Sequence, residues 1–203
     1  MAVRIGVLAL QGAFREHVQA LAGYDTEVCE IRTPSDLEGL RGIVLPGGES
    51  TVMGKLLLEE GLLHPLAQLC ASGIPVLATC AGMILLARNL PGFSEQPRLG
   101  LMDIAVLRNA FGRQKESFAT RLHVREFSRQ ANDLIEAVFI RAPVVASCGP
   151  EVNVLASLQG NPVAVRQDNM LALSFHPELS CDTRFHGWLV RRAQEHKAAM
   201  HSV

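Results

Sequence analysis

The sequence predicts an α/β fold in three layers, with helices on both faces of a mostly parallel central sheet. In the first 90 residues, short apolar runs typical of strands alternate with segments of helical spacing. The strand-like runs are apolar throughout, as expected where both faces of a sheet are buried. At 203 residues and 48% hydrophobic composition, the chain is suited to one domain, 1–203, with a large core.

The predicted elements follow in order along the chain. The first part gives strands at 3–10, 27–32, 42–45 and 75–79, and helices at 14–21, 51–60, 64–71 and from Cys80 to about Asn89. After Gly100, turn signals separate short β-type runs at 102–107, 134–140, 152–157, 162–166 and 170–175. A last helix is expected from Asp182, its N-cap, to His196, with one apolar face formed by Phe185, Trp188, Leu189 and Ala193.

Composition excludes several classes of function. A net charge of −1 does not indicate a nucleic-acid or membrane-surface partner. The apolar runs are shorter than the roughly 20 residues that span a bilayer, and the N-terminus is interpreted as a first core strand rather than a signal peptide. The five cysteines are scattered without zinc-like spacing, so we expect no metal site and a cytoplasmic protein with reduced thiols.

Cys80 lies where the strand VLAT meets a predicted helix. Its surroundings, Ala78-Thr79-Cys80-Ala81-Gly82, match a nucleophile elbow, a turn so tight that it needs small residues two positions on either side. A thiol at a helix N-terminus has a lowered pKa, and the nearby N–H groups can stabilise an oxyanion. A buried structural cysteine is the alternative.

His176-Pro177-Glu178 follows the strand predicted at 170–175. Proline favours an extended path, so residues 176 and 178 point the same way and the carboxylate can orient the imidazole. This is the base-and-orienter half of a catalytic triad, although a solvated turn would have the same pattern. The other histidines, 17, 64, 123, 186, 196 and 201, are expected to be surface or capping residues.

Two loops complete the candidate site. Gly47-Gly48, after the strand at 42–45, exposes consecutive N–H groups that can bind an anion; an ordinary turn and helix cap is the alternative. A phosphate loop is excluded, because GxxxxGK[ST] would need glycine at Glu49 and serine or threonine at Leu56. Further along the chain, the two arginines of RNAFGRQ are suited to binding a carboxylate or a partner protein. A solvated loop is the alternative.

The signals after the strands agree in one arrangement. Loops that follow parallel strands share one edge of the sheet, and Gly47, Cys80 and His176 all lie in such loops. A thiol, a histidine–glutamate pair and an oxyanion-binding segment would therefore meet there. Together they are suited to acyl transfer through a thioester.

With these residues, the chain resembles the triad (class I) glutamine amidotransferases, and more narrowly the family of glutaminase subunits of pyridoxal 5′-phosphate synthases. The resemblance runs through IGVLALQGAFREH, LPGGESTVMGKLL, ATCAGMILLA, RNAFGRQKESF, FIRAP and SFHPEL, which span nearly the whole chain. It implies the flavodoxin-like, three-layer fold of class I glutamine amidotransferases. Ala78 stands where relatives often have glycine, but alanine is still small enough for the turn.

The resemblance also implies an activity, the hydrolysis of L-glutamine to glutamate and ammonia. Cys80 would attack the side-chain amide, with His176 as general base and then acid, and Glu178 as its orienter. The N–H groups of the Gly47-Gly48 segment, in particular Gly48, and of Ala81 would form the oxyanion hole.

For the substrate, the resemblance implies binding by Gly47, Gly48, Glu49, Arg108, Ile140 and Arg141. Arg113 lies close enough in sequence to be an alternative to Arg108. The implied partner is the pyridoxal 5′-phosphate synthase subunit, which uses the ammonia with a pentose phosphate and a triose phosphate. No metal or organic cofactor is implied on this chain.

Two other functions remain open from the residues. The chain would have the same triad as the glutaminase subunit of another amidotransferase, such as that for imidazole glycerol phosphate, although RNAFGRQ and FIRAP favour the first interpretation. A non-hydrolytic thiol sensor or chaperone also has a cysteine at an elbow, but the HPE element fits an amidotransferase better.

Overall fold

A computed structural model of the chain describes residues 2–108 and 117–200, with side chains up to residue 196. The helices are α1 (Phe14–Leu21), α2 (Ser50–Glu59), α3 (Leu63–Ala71), α4 (Ala81–Leu86) and α5 (Arg184–Met200). The strands of the first half are β1 (Val3–Leu8), β2 (Thr26–Ile31), β3 (Gly42–Leu45), β4 (Val76–Thr79), β5 (Ala87–Asn89) and β6 (Met102–Leu107). Those of the second half are β7 (Ser117–Leu122), β8 (Ile135–Ile140), β9 (Val144–Cys148), β10 (Asn153–Leu158), β11 (Asn161–Gln167) and β12 (Met170–Leu173).

The central sheet has seven strands in the order β10-β11-β12-β4-β3-β1-β2. The five strands from β12 to β2 are parallel, and the β10–β11 hairpin is added antiparallel at one edge. The order β2-β1-β3-β4-β12 is that of doubly wound, flavodoxin-like sheets, in which ligands bind beyond the carboxyl ends of the strands. The predicted three-layer fold with a mostly parallel sheet is therefore confirmed.

The two faces of the sheet bury separate apolar clusters, because side chains alternate along each strand. In β3, Ile43 and Leu45 pack with residues of α2, α3 and α4, whereas Val44 packs on the other face with residues of α1 and α5. The strands are fully buried along β3, β4 and β12. This burial explains why their sequences are apolar throughout.

Two smaller sheets lie beside the central one. β5, β6 and β9 form a three-stranded sheet, and β7 pairs antiparallel with β8. These sheets position two of the candidate site residues: Arg108 follows the last residue of β6, and Ile140 ends β8. The N–H of His176 donates to the carbonyl of Val138 in β8, which joins the small hairpin to the end of β12.

Most of the predicted elements are confirmed, and three differences have a physical cause. The helix after Cys80 ends at Leu86 rather than Asn89, because β5 instead pairs with β6. β7 and β9 were not predicted: most of the side chains of β7 are exposed or half-buried, and β9 is too short for a clear alternation. Asp182 precedes α5 and accepts the Arg184 N–H at 3.0 Å, one position earlier than a conventional N-cap.

No helix in the described part of the chain is both long and apolar enough to cross a membrane. All five cysteines are free thiols.

Gly82 sets the distance between α4 and β3. A Cβ at this position would collide with the backbone carbonyl of Leu45, which cannot move without displacing β3. We therefore expect Gly82→Ala to lower the free energy of unfolding by about 1–3 kcal/mol, the usual cost of overpacking, despite the better helix propensity of alanine. Urea unfolding of the two proteins measures the difference.

The matched control is Gly23→Ala, where no atom lies within 4 Å of the added methyl group. Its free energy of unfolding should change by no more than about 0.5 kcal/mol, as for ordinary surface substitutions. Equal stability of the two variants would contradict the close packing of α4 on β3.

Candidate active site

The carboxyl ends of three neighbouring strands, β3, β4 and β12, open into a cavity of about 230 Å³. Its walls are formed by Gln11, Gly12, Ala13, Gly47, Gly48, Glu49, Ser50, Cys80, Ile84, Arg108, Ile140, Arg141 and His176. Eight residues expected at the site from the sequence are among them. Of the two others, Glu178 lies behind His176, and Ala81 is buried as the first residue of α4.

Cys80 has a backbone conformation that is rare for a residue with a side chain. Its φ of 48° and ψ of −103° place it outside the regions that L-residues normally occupy. Hydrogen bonds hold it there: the Cys80 N–H donates to Leu173 O at 2.8 Å, and the Ile84 N–H donates to Cys80 O at 3.3 Å. The sharp strand-to-helix turn predicted from ATCAG is therefore present.

The thiol of Cys80 lies at the cavity wall, 7% exposed, and its Sγ is 3.8 Å from the carbonyl oxygen of Ile140. It sits at the start of α4, but this helix has only six residues, so its dipole is small. Burial raises the pKa of Cys70 to about 12, which keeps that thiol protonated.

His176 and Glu178 form a close pair. His176 Nδ1 lies 2.7 Å from Glu178 Oε1, and the carboxylate has no exposed surface. Because a carboxylate only accepts hydrogen bonds, Nδ1 carries the proton and Nε2 is left for the cavity. The imidazole ring rests against Gly47, where any Cβ would overlap it, so glycine is needed at 47 for a close approach.

The charges of this pair support each other. Burial favours neutral His176, but the interactions with Cys80 and Glu178 outweigh it and raise the pKa of His176 above its usual value. Burial also works against an ionised Glu178, yet His17 and His176 hold the pKa of its carboxyl well below the usual range. The arrangement therefore favours an imidazolium between the Cys80 sulfur and the Glu178 carboxylate, as in cysteine–histidine catalytic pairs.

The Gly47-Gly48 segment is held by the loop after β1. Ala13 N–H donates to Gly47 O at 2.9 Å, and Glu49 N–H donates to Gln11 Oε1 at 2.7 Å. Gln11 was not predicted as a site residue. The signal was present, because Gln11 follows a strand next to β3 and so lies at the same edge of the sheet.

Arg108 lies at the rim of the cavity and is held on three sides. Its Nη2 donates to Glu49 Oε1 at 3.1 Å and its Nη1 to Gln96 Oε1 at 3.0 Å, while its guanidinium lies 4.4 Å from the centre of the Phe93 ring. Arg113, the alternative to Arg108, lies outside the described residues. The guanidinium of Arg108 and the carboxylate of Glu49 are thus held next to each other at the entrance of the cavity.

The FIRAP segment supplies the opposite wall. Ile140 ends β8, and Arg141 has a φ of 44°, which turns the chain sharply at the cavity. This turn directs the carbonyl of Ile140 toward the Cys80 thiol. Ile140 and Arg141 thus line the cavity.

The expectation for two of the histidines is wrong. His17 and His186 are fully buried rather than on the surface, with His17 Nδ1 and His186 Nε2 2.9 Å apart. Helical spacing was the missed signal: His17 shares a face of α1 with Leu21, and His186 shares one of α5 with Leu189. His64 and His123 are exposed and His196 is half-buried; His201 lies outside the described residues.

No group of histidine, cysteine, aspartate or glutamate side chains suited to a metal ion occurs within residues 2–108 and 117–196.

The fold is α/β, its cysteine lies at a strand-to-helix elbow, and a histidine–glutamate pair lies at the same edge of the sheet. These features are those of cysteine enzymes such as the triad amidotransferases. The chain belongs to the SNO glutamine amidotransferase family, whose pattern matches residues 7–195.

Similar proteins cover nearly all of the chain. The pyridoxal 5′-phosphate synthase subunit PdxT of Moorella thermoacetica is 49% identical over 93% of this chain and 98% of its own length. The protein of the same name from Dehalococcoides mccartyi is 50% identical over 97% of this chain and 100% of its own length.

Solved structures agree with the fold. A crystal structure described as a glutamine amidotransferase superposes with a TM-score of 0.87 at 46% identity, covering 94% of this chain and 98% of that one. A glutamine amidotransferase of Thermotoga maritima superposes with a TM-score of 0.63 at 14% identity, covering 99% of this chain and 86% of that one, and shows the fold alone.

Proposed function

We propose that this chain hydrolyses the side-chain amide of L-glutamine to L-glutamate and ammonia, and delivers the ammonia to a synthase subunit that makes pyridoxal 5′-phosphate. The observation that carries the proposal is the meeting of Cys80 and the His176–Glu178 pair at one cavity. The relatives, about half identical along nearly their whole length, carry the name of a pyridoxal 5′-phosphate synthase subunit. That name favours this synthase over the one for imidazole glycerol phosphate.

The first half of the reaction forms a thioester. The Cys80 thiolate attacks the amide carbon of glutamine, and the resulting oxyanion is bound by the N–H groups of Gly48 and Ala81. Ala81 N–H is the first of a helix and has no intrahelical partner, which suits this role. Protonated His176 then gives its proton to the departing nitrogen, the C–N bond breaks, and ammonia leaves.

The second half regenerates the thiol. His176, now neutral, accepts a proton from water as the water attacks the thioester carbon. The C–S bond breaks, glutamate leaves, and the thiolate–imidazolium pair is restored. Glu178 keeps the proton-bearing Nδ1 of His176 oriented throughout, as the 2.7 Å contact supports.

Substrate recognition relies on the two charges at the rim. The α-carboxylate of glutamine pairs with the guanidinium of Arg108, and the α-ammonium pairs with the carboxylate of Glu49. The side chain of glutamine lies between the Gly47-Gly48 segment and the Ile140–Arg141 turn on the opposite wall. The stacking of Arg108 on Phe93 orients the guanidinium before substrate binds, which reduces the entropic cost of binding.

Replacement of the nucleophile is the direct test. We expect Cys80→Ala to abolish glutaminase activity, measured as glutamate release, while the circular dichroism spectrum stays unchanged. A diazo-ketone analogue of glutamine should label Cys80 in the parent chain, because burial raises the pKa of Cys29, Cys70 and Cys148. Peptide mapping that places the label on Cys29 or Cys148 would contradict the assignment.

The base and its orienter should differ in their effect. His176→Asn removes the proton carrier, and general acid–base groups contribute about 10²–10⁴-fold. Glu178→Gln keeps the shape of the side chain and loses only its charge, so its kcat should fall less. Steady-state kinetics of both variants measures the difference. Equal, small losses would mean that HPE is only a turn.

Coupling to the synthase subunit provides the third test. Free ammonia in neutral water is mostly ammonium, which is not a nucleophile, so release without a docked synthase wastes it. The Gly47–Gly48 peptide, whose carbonyl is bonded to Ala13 N–H, suits a switch because a glycine peptide turns over at low steric cost. Partner docking would then turn one N–H toward the oxyanion.

Loss of one oxyanion donor costs about 10²–10³-fold in rate. Glutamate release by the purified chain should therefore rise by roughly that factor when the synthase subunit is added, and saturate at a fixed molar ratio. A free chain that already works at the full rate of the complex would refute the switch, while leaving the triad in place.

A further inference from the structure

The second carboxylate oxygen of Glu178 faces away from the catalytic histidine. Oε1 is bonded to His176, but Oε2 is buried and, within the described residues, makes no hydrogen bond of standard geometry. A carboxylate charge in such a place is costly unless another group compensates it. The group that faces Oε2 is the imidazole of His17, whose Nε2 lies 3.3 Å away.

The proton on His17 can be located from its neighbours. Glu178 Oε2 only accepts, and a nitrogen lone pair 3.3 Å away would repel it, so we assign a hydrogen atom to Nε2 of His17. The same Nε2 lies 3.1 Å from the hydroxyl oxygen of Thr79, the residue directly before Cys80. The Nε2–H of His17 therefore lies between Thr79, at the end of β4, and the carboxylate of Glu178.

His186 holds His17 from behind. Its Nε2 is 2.9 Å from His17 Nδ1, and neither ring has any exposed surface. Burial, together with His17, lowers the pKa of His186 to about 4, so this ring is neutral at physiological pH. The contact between the two rings fixes the plane of His17 and leaves its Nε2–H directed at Thr79 and Glu178.

We propose that His17 is a positioning residue for the catalytic triad, which holds Glu178 in place through its second oxygen and ties it to the segment of Cys80, with His186 as its support. The groups that face Glu178 are His176 on its own turn and His17 on α1, with His186 on α5 one contact further away. His17 completes the solvation of a carboxylate that water cannot reach. The inference rests on the proposed role of the triad in glutamine hydrolysis.

Loss of the His17–Glu178 contact affects the Cys80 thiol through two further contacts, from Glu178 to His176 and from His176 to Cys80. If Oε2 loses the N–H of His17, the pKa of Glu178 rises and the carboxylate binds His176 less well. His176 then interacts less strongly with the Cys80 thiolate, so alkylation of this residue requires a higher pH. At pH values below the midpoint, a displacement of one pH unit changes the fraction of thiolate tenfold, so a small loss at His17 becomes measurable at the sulfur.

The test compares two amides at one position. His17→Gln places an amide N–H near the position of Nε2, whereas His17→Asn is one methylene shorter and does not reach Glu178. The rate of Cys80 alkylation by iodoacetamide is measured against pH in the full chain, in a Cys181→Ser background because Cys181 is exposed. Mass spectrometry of the Cys80 peptide gives the rate at this residue alone.

We expect the alkylation profile of the Asn variant to be displaced by about one unit toward higher pH, with a rate up to about tenfold lower at pH values below the midpoint of the parent profile. The Gln variant should stay within about threefold of the parent. In the presence of the synthase subunit, kcat for glutamine should fall about tenfold in the Asn variant while KM changes less than threefold, because His17 does not line the cavity.

The matched control is Tyr24→Phe. The Tyr24 hydroxyl donates to the carbonyl of Thr183 at 2.8 Å, so it also joins the region of α1 to the start of α5, but it does not contact Glu178. This variant should lose stability without a displaced alkylation profile. A displacement as large as that of the Asn variant would show that loosened packing, rather than positioning of Glu178, is responsible.

Two further results would overturn the proposal: an Asn variant with the profile of the parent, or equal displacement in the Asn and Gln variants. The alkylation experiment uses no glutamine. A parent chain that hydrolyses no glutamine even with the synthase subunit present would therefore refute the proposed function, while the alkylation profiles would still decide the role of His17.

Discussion

The backbone of Cys80 is the constraint on which the rest of the site depends. A residue with a side chain at φ 48° and ψ −103° is strained by about 1–3 kcal/mol, and it persists only when the surrounding structure holds it. Here the neighbouring strand β12 accepts the Cys80 N–H, and Gly82 packs directly on the carbonyl of Leu45 in β3. The order β12-β4-β3 is therefore needed for the elbow as well as for the cavity.

The site also requires that Glu178 be ionised, although its carboxylate is buried away from water. Its partners come from different layers: His176 from the loop after β12, and His17 from helix α1, supported by His186 on α5. Helices usually contribute apolar faces to such a fold, but here two histidines occupy positions on those faces. The helix layer thus takes part in the electrostatics of the sheet edge.

The fold does not by itself specify the function of this protein. A solved structure only 14% identical to the chain has the same overall fold. At that distance the fold alone does not specify what a protein assembles with. The loops at the carboxyl edge carry the information: Gly47-Gly48, the Ile140–Arg141 turn and the stacked Arg108 are the features that shape this cavity.

The sequence by itself determined the fold class, most of the elements of the central sheet and the loops that carry Cys80, His176 and Glu178. The reason is that apolar runs, the Ala-Thr-Cys-Ala-Gly turn and His-Pro-Glu are local patterns, and parallel strands bring their following loops to one edge.

Only the tertiary structure decided what depends on contacts between distant residues. The pairing of β5 with β6 ended α4 early, and β7 became a strand through its partner β8. His17 and His186 are 169 residues apart. Helical spacing indicates that each is buried, but only the packing of α1 and α5 on the same face of the sheet brings them together behind Glu178.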